Sequence, residues 1–254
     1  SNAALVSLSP KTGEIFAMVG SRNYFDDSID GQVNVTIRPR QPGSSFKPFA
    51  YATAFEKGFQ PETKILDAQT DFGADGSGRH YIPRNYDGKF HGVVTMRQAL
   101  AMSLNVPAVK TLSMVGVKET IEMAHRLGIT TLQDTNRYGL SLVLGGGEVK
   151  LLDETAGYSV FANDGKKNTP TALMKVTDPA GKELYVHHPE NAQVINPQVA
   201  RKVASILSDN DARVPIFGPR NKLFIPGKIV AAKTGTTSEF KDAWTVGFSP
   251  YIAT

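Results

Sequence analysis

Ser44 and Lys47 stand three residues apart in the stretch QPGSSFKPF. At the start of a helix that spacing puts both side chains on one face. A serine hydroxyl is a poor nucleophile until a base takes its proton. A lysine is such a base only when burial or a second cation lowers its pKa. Taken alone, S-x-x-K is more often a capped helix carrying a surface lysine. Pro48 adds a constraint, because it offers no N–H to the Ser44 carbonyl and its ring crowds that carbonyl. The helix must therefore begin close to Ser44, which places Ser44 at the positive helix end.

A second pair, Ser103 and Asn105, lies in AMSLNVPAV. It interrupts a helical region, where an extended segment would point both side chains the same way. Ser21-Arg22-Asn23 and Ser208-Asp209-Asn210 fit the same S-x-N spacing. The first follows the end of a strand and the second the end of a helix, and those positions account for them.

The triplet Lys-Thr-Gly occurs twice, at Lys11-Thr12-Gly13 and at Lys233-Thr234-Gly235. The first copy sits between two apolar runs directly after Pro10, where a hairpin turn explains each residue and leaves Lys11 solvated. The second continues the apolar run Ile229–Ala232. A glycine inside a strand weakens it unless a ligand or another backbone comes close. Strand alternation puts Lys233 and Gly235 on one side, and Thr234 and Thr236 on the other.

Other chemistry has little support. Five histidines include the adjacent His187 and His188, which would face opposite ways in a strand, and no H-E-x-x-H is present. Gly145-Gly146-Gly147 lacks the G-x-x-x-x-G-K-[ST] of a phosphate loop and reads as a tight turn into a helix. Trp244 reads as core. The absence of cysteine excludes disulfides, a thiol nucleophile and thiolate metal sites. The net charge of +4 comes from basic residues spread along the chain. That is a solvated surface, not the clustered basic face of a nucleic-acid binder.

The elements that must position these groups follow from pattern. Ser1-Asn2-Ala3 reads as an expression-tag remnant, leaving 4–254 as one domain. No run approaches the roughly 18 apolar residues of a membrane span. Ala4–Leu8 and Glu14–Val19 predict a hairpin, as do Ala172–Val176 and Glu183–Val186. Ser44–Gly58, Val94–Leu127 (broken at Ser103–Pro107), Glu148–Ala162 and Asn196–Ser208 predict helices. Ile229–Thr237 and Ala243–Phe248 predict strands. Asp67–Gly92 is a long polar loop holding Gly73, Gly76, Gly78, Gly88 and Gly92, of a length that is uncommon without a function. Strands at both ends around a helical middle predict an α+β fold, an antiparallel sheet packed between helices with an all-helical subdomain.

The ordered set Ser44…Lys47, Ser103…Asn105, Lys233…Gly235 is far more specific than any member. With it, RQPGSSFKPFAYATAFEKG, VTMRQALAMSLNVPAVK, LVLGGGEVKLLDETAGYSVFANDG and AAKTGTTSEFKDAWTVGFSP resemble segments of the transpeptidase domain of class A, bifunctional penicillin-binding proteins. The resemblance covers essentially all of 4–254. It implies the fold shared by penicillin-binding transpeptidases and serine β-lactamases. It implies Ser44 as nucleophile, Lys47 as base, and Ser103, Asn105 and Lys233 as further catalytic groups. Thr234, Gly235 and Thr236 would bind substrate, and the N–H groups of Ser44 and Thr236 would form the oxyanion hole. The substrates implied are peptidoglycan stem peptides ending in D-Ala-D-Ala, with β-lactams as inhibitors and neither metal nor cofactor. The family also implies an upstream glycosyltransferase domain, a membrane anchor, a location on the extracytoplasmic face of the bacterial cytoplasmic membrane, and a further strand and helix beyond GFSPYIAT. Two alternatives stay open. A serine β-lactamase needs an added deacylating group, for which Glu148 and Glu154 are candidates by spacing, and an acylated sensor domain would keep the same three motifs.

Overall fold

The computed structural model describes residues 2–74, 78–237 and 241–254. Ser1, Gly76 of the glycine-rich loop and Ser238-Glu239-Phe240 of the last motif lie outside the described residues.

Strands β1 (Leu5–Leu8) and β2 (Ile15–Val19) form the expected N-terminal hairpin, with Leu5 opposite Val19. After a polar stretch, Gly43–Phe46 makes a 3-10 turn that runs into α1 (Lys47–Glu56). The helix thus starts three residues later than Ser44. Pro48 falls in its first turn, and the Ser44 carbonyl accepts from the Lys47 N–H instead. The tighter i→i+3 bond satisfies the carbonyl that proline cannot reach.

Strands β3 (Lys64–Asp67) and β4 (Gly92–Thr95) pair antiparallel, and Asp67 lies opposite Gly92. The long polar loop read from sequence is therefore the connection of a hairpin whose base closes at its two limits. β4 also takes the start of the predicted helical region. The remainder divides into α2 (Met96–Ala101), α3 (Asn105–Val115) and α4 (Val117–Leu127), with a second break at Gly116. Helix α5 (Leu151–Ala162) is buried over most of its circumference, and α1 packs against α3 and α4 to form the helical part. Phe49, 5.0 Å from Phe46 between ring centroids, meets Tyr158 and Phe161 of α5 and ties the start of α1 to it. Each such ring contact adds about 0.5–1.5 kcal/mol beyond area burial.

The short strands β5 (Lys166–Lys167) and, after the second hairpin β6 (Lys175–Thr177) and β7 (Glu183–Val186), β8 (Ala192–Gln193) pair with one another. Asn196 caps α6 (Pro197–Leu207). Asp209 caps α7 (Asn210–Phe217), a helix the sequence pattern did not suggest. Strands β9 (Ala231–Thr236) and β10 (Ala243–Phe248) pair with Lys233 opposite Val246.

The two ends of the chain do meet. Leu8 and Ala253 exchange backbone hydrogen bonds of 2.9 and 3.0 Å, and Gly247 and Thr254 exchange bonds of 2.7 and 2.9 Å. Ala253 thereby joins the β1–β2 and β9–β10 pairs into one antiparallel sheet. Helix α5 packs on β1 and β10, and α6 on β9. This is the expected α+β arrangement. Among the described residues no helix is long and apolar enough to cross a membrane.

Candidate active site

Ser44 is the one partly exposed residue in an otherwise buried run from Pro42 to Phe55. It enters the site from the 3-10 turn, and Gly43 makes that entry possible. Gly43 has φ +61°, and a side chain there would meet the Thr236 backbone at 2.5–2.7 Å. Only glycine allows the serine turn and β9 to pack backbone to backbone. Gly145 plays the same part from a third direction, because a side chain on it would collide with Gly43. The triple glycine is thus a close-approach device beside Ser44 as well as a turn.

Lys47, in the first turn of α1, is fully buried. Its Nζ donates to the Ser103 carbonyl at 2.7 Å and to Asn105 Oδ1 at 2.7 Å, and lies 3.4 Å from Ser103 Oγ. No hydrogen bond links it to the Ser44 hydroxyl. Lys233, 2% exposed, donates to Ser103 Oγ at 2.7 Å and to the Thr234 carbonyl at 2.9 Å. Ser103 is therefore the joint between the two lysines. Its backbone is not extended, as the sequence pattern suggested. It takes φ +58°, in the left-handed region, between α2 and α3. That conformation is uncommon for a residue with a Cβ and marks a tightly held position. Asn105 is the first residue of α3.

Neither lysine is ion-paired with a carboxylate among the described residues. Burial pushes the Lys47 amine well below the usual range, and the charge of Lys233 pushes it further. Burial brings Lys233 down to about 7, helped by Arg213 and opposed by Glu154. The mechanism is desolvation first and like-charge repulsion second. Arg213 was not singled out by sequence, whereas Glu154 was named there as one of two candidate deacylating groups. Arg213 is 2% exposed on α7 and donates to the Ala232 carbonyl at 3.1 Å, directly behind the lysine strand. Glu154 is fully buried on α5, and its carboxyl is raised to about 8, chiefly by burial.

Alternation along β9 falls as expected. Lys233 and Gly235 face inward, and Thr234 and Thr236 are the more accessible pair. A side chain at Gly235 would collide with the Pro42 carbonyl and sit 2.7 Å from Ser45 Oγ. The approaching group is the backbone of the serine turn.

The decoys lie elsewhere. Lys11 is on the first hairpin and donates to Asn163 Oδ1 at 3.0 Å, so its ammonium has a protein partner as well as solvent. The Ser21 hydroxyl donates to the Gly31 carbonyl, and Ser208 ends α6. Trp244 is packed in the core, 9% exposed. No cluster of three or more potential metal ligands exists among the described residues.

Sheet, helices and the placement of the three motifs together match the architecture of penicillin-binding transpeptidase domains. The model for the penicillin-binding protein transpeptidase domain matches residues 3–253. Penicillin-binding protein 1A of Aquifex aeolicus is 39% identical over 251 residues, 99% of this chain and 33% of that protein. The crystal structure of penicillin-binding protein 1A from Haemophilus influenzae aligns with a TM-score of 0.85 at 26% identity, covering 99% of this chain and 42% of that one. PonA1 from Mycobacterium tuberculosis, solved in complex with penicillin V, aligns with a TM-score of 0.80 at 26% identity, covering 98% and 66%. The chain belongs to the penicillin-binding protein transpeptidase family, with 1A proteins of class A among its relatives. It spans about a third of the length of the curated relatives it matches.

Proposed function

We propose that this domain is a serine D,D-transpeptidase that cross-links peptidoglycan stem peptides and is acylated by β-lactams. The observation that carries the reading is the buried Lys47, bonded to Ser103 and Asn105, beside a partly exposed Ser44 and a second buried lysine. A neutral amine has two N–H groups. The two 2.7 Å bonds to the Ser103 carbonyl and Asn105 Oδ1 use both, which leaves the lone pair for the Ser44 proton.

Ser44 Oγ attacks the carbonyl between the two terminal D-alanines, and its proton passes to Lys47. The oxyanion is held by the backbone N–H groups of Ser44 and Thr236, on two segments that Gly43 brings into contact. The C–N bond then breaks. Ser103 relays a proton from Lys233 to the departing amine, along the 2.7 Å bond between them. The amine of a neighbouring stem peptide attacks the ester and passes its proton through Ser103 back to Lys233, the C–O bond breaks, and Ser44 leaves with the proton held by Lys47. Thr234 and Thr236 bind the terminal carboxylate, with Lys233 adding positive charge, and the substrate lies along β9 as an added strand. In the intact protein we place this domain downstream of a glycosyltransferase domain and a membrane anchor, on the extracytoplasmic face of the bacterial cytoplasmic membrane.

The test is covalent labelling with a fluorescent penicillin, followed by intact-mass and peptide mapping. One adduct on the peptide carrying Ser44, and none on Ser44→Ala, is the expected result. An adduct on another serine, or full labelling of Ser44→Ala, removes the assignment.

A further inference from the structure

The long loop between β3 and β4 grips the start of α3. Helix α3 needs help there. Its first N–H groups have no intrahelical partner, and Leu104 at the N-cap position has no side chain that can accept from them. Pro107, two residues into the helix, has no N–H to satisfy. The remaining two donors are met from a distance, because Asn85 Oδ1 accepts from the N–H of Asn105 at 2.8 Å and of Val106 at 3.3 Å.

Asn85 is itself held. It is 5% exposed, and its Nδ2 donates to Asp67 Oδ2 at 2.7 Å and to the Lys89 carbonyl at 2.8 Å. Asp67 is fully buried, is the last residue of β3, and also accepts from the His91 N–H at 2.9 Å. The neighbouring Arg84 carbonyl accepts from Asn105 Nδ2 at 2.8 Å. Asn85 thus holds the backbone at the start of α3, and the bond to the Arg84 carbonyl decides which way the Asn105 carboxamide points. Its nitrogen is engaged by the loop, so its oxygen is left to face Lys47 at 2.7 Å. Reversed, the amide would set an N–H against the lysine donors and a carbonyl oxygen against Arg84's.

We propose that Asn85, anchored by Asp67, is a positioning residue for acyl transfer: it fixes the start of α3, and with it Asn105, next to the Arg84 carbonyl, so that Asn105 Oδ1 orients Lys47. The inference rests on the serine acyl-transfer reading above. It also gives the long polar loop its role. A reacting group displaced by about 1 Å costs on the order of 10²-fold in rate.

The experiment measures the second-order rate of labelling by a fluorescent penicillin for Asn85→Ala, Asn105→Ala, the two combined, Asn85→Asp and Asp67→Asn/Asn85→Asp, with melting curves for each. Asn85→Ala is expected to label about 10- to 100-fold more slowly while folded at the assay temperature. Asn85→Ala placed on Asn105→Ala is expected to slow labelling by no further factor beyond about twofold, because the effect passes through Asn105. Asn85→Asp sets two carboxylates face to face and is expected to be slow. Exchanging the pair restores a donor against an acceptor between the two side chains, though the Lys89 carbonyl and the His91 N–H lose their partners, and the double variant is expected to recover part of the rate lost in Asn85→Asp. A merely structural role would lower the melting temperature without that coupling. The proposal is overturned if folded Asn85→Ala labels at the parental rate, if the Asn85 and Asn105 effects multiply, or if the exchanged pair is no faster than Asn85→Asp. The last comparison stands even where Asn85→Ala does not fold. Labelling that survives Ser44→Ala overturns the acyl-transfer reading itself, a result distinguishable from each of these.

Discussion

Lys233 donates to the hydroxyl of Ser103 across 2.7 Å, and the backbone carbonyl of the same serine accepts from Lys47. One residue on the α2–α3 turn thus couples a strand lysine to a helix lysine. Both amines are buried, and the charge of Lys233 adds to burial in holding protonation from Lys47 through a medium that screens poorly.

Lys233→Ala is expected to slow acylation by on the order of 10²-fold or more, since it removes a positioned charge and leaves Ser103 without its donor. It should also move the pH profile. Lys47 works as a base only when neutral, so the rate rises as pH rises through its pKa. The charge of Lys233 is the second cause holding that pKa down. Without it the acid limb shifts to higher pH. Lys11→Ala, with one bond to Asn163 at stake, is expected to leave the profile and rate unchanged at a stability cost of no more than about 1 kcal/mol. Acylation rates across pH, with circular dichroism for folding, compare the two lysines. A Lys233→Ala profile that overlies the parent would end the assignment.

Gly235→Ala is expected to abolish or strongly slow acylation. The new methyl collides with the Pro42 carbonyl, a backbone atom that cannot rotate away. β9 must then move off the serine turn, carrying Thr236 with it. Overpacking of this kind costs about 1–3 kcal/mol of stability. Gly139→Ala is the control, because nothing lies within 4 Å of a methyl group there. Melting temperature and labelling rate for the two variants are the measurements, and equal behaviour would refute the close-approach argument.

The three motifs were legible because each is local. Ser44 and Lys47 need only one helical turn, and Gly235 betrays a close approach by standing where a strand disfavours it. The end hairpins and β10 were legible from alternation and turn residues. What escaped was set by partners distant in sequence. Ser103 adopts a left-handed backbone because Lys47, Lys233 and α3 surround it, and no local pattern specifies that. Asn85 looks like one more polar loop residue until the fold brings it to the start of α3. Arg213 and Glu154 are ordinary charges in sequence and become buried charges only when α7 and α5 pack against the sheet and the serine turn.

The acyl adduct is expected to persist for many minutes or longer. Hydrolysis of the ester needs a base aimed at a water beside Ser44. Of the two carboxylates compatible by spacing, Glu148 is exposed, and Glu154 is sealed beneath the serine turn. Mass spectrometry of the labelled protein over time, together with turnover of a chromogenic cephalosporin, provides the check. Rapid turnover would shift the reading to a β-lactamase.

Glu154 makes stability depend on pH in a direction opposite to that of an ordinary carboxylate. It lies one turn before Tyr158 on α5, whose hydroxyl donates to the Ser45 carbonyl at 2.7 Å. Burial raises its pKa from 4.5 to about 8, although the Ser45 hydroxyl and the Lys233 charge offset part of the rise. Between those two values the folded protein holds a proton that the unfolded chain has released. The stabilisation linked to this group is complete below 4.5 and is lost as pH rises through about 8. While the difference is one whole proton, the slope is about −1.4 kcal/mol per pH unit. Lys233 acts in the reverse sense, because its folded value near 7 lies below the ordinary 10.5, so stability is gained as pH rises between them. Lys47, also depressed, has the same sign as Lys233. The parent curve is thus a sum of opposed slopes, and a variant is needed to separate them. Glu154→Gln keeps the shape and removes the titration. Its melting temperature relative to the parent is expected to climb steadily from pH 5 to pH 8, because only in the parent does the unfolded chain gain by releasing a proton that the folded state keeps. A constant offset between the two curves would mean that Glu154 does not titrate in this window.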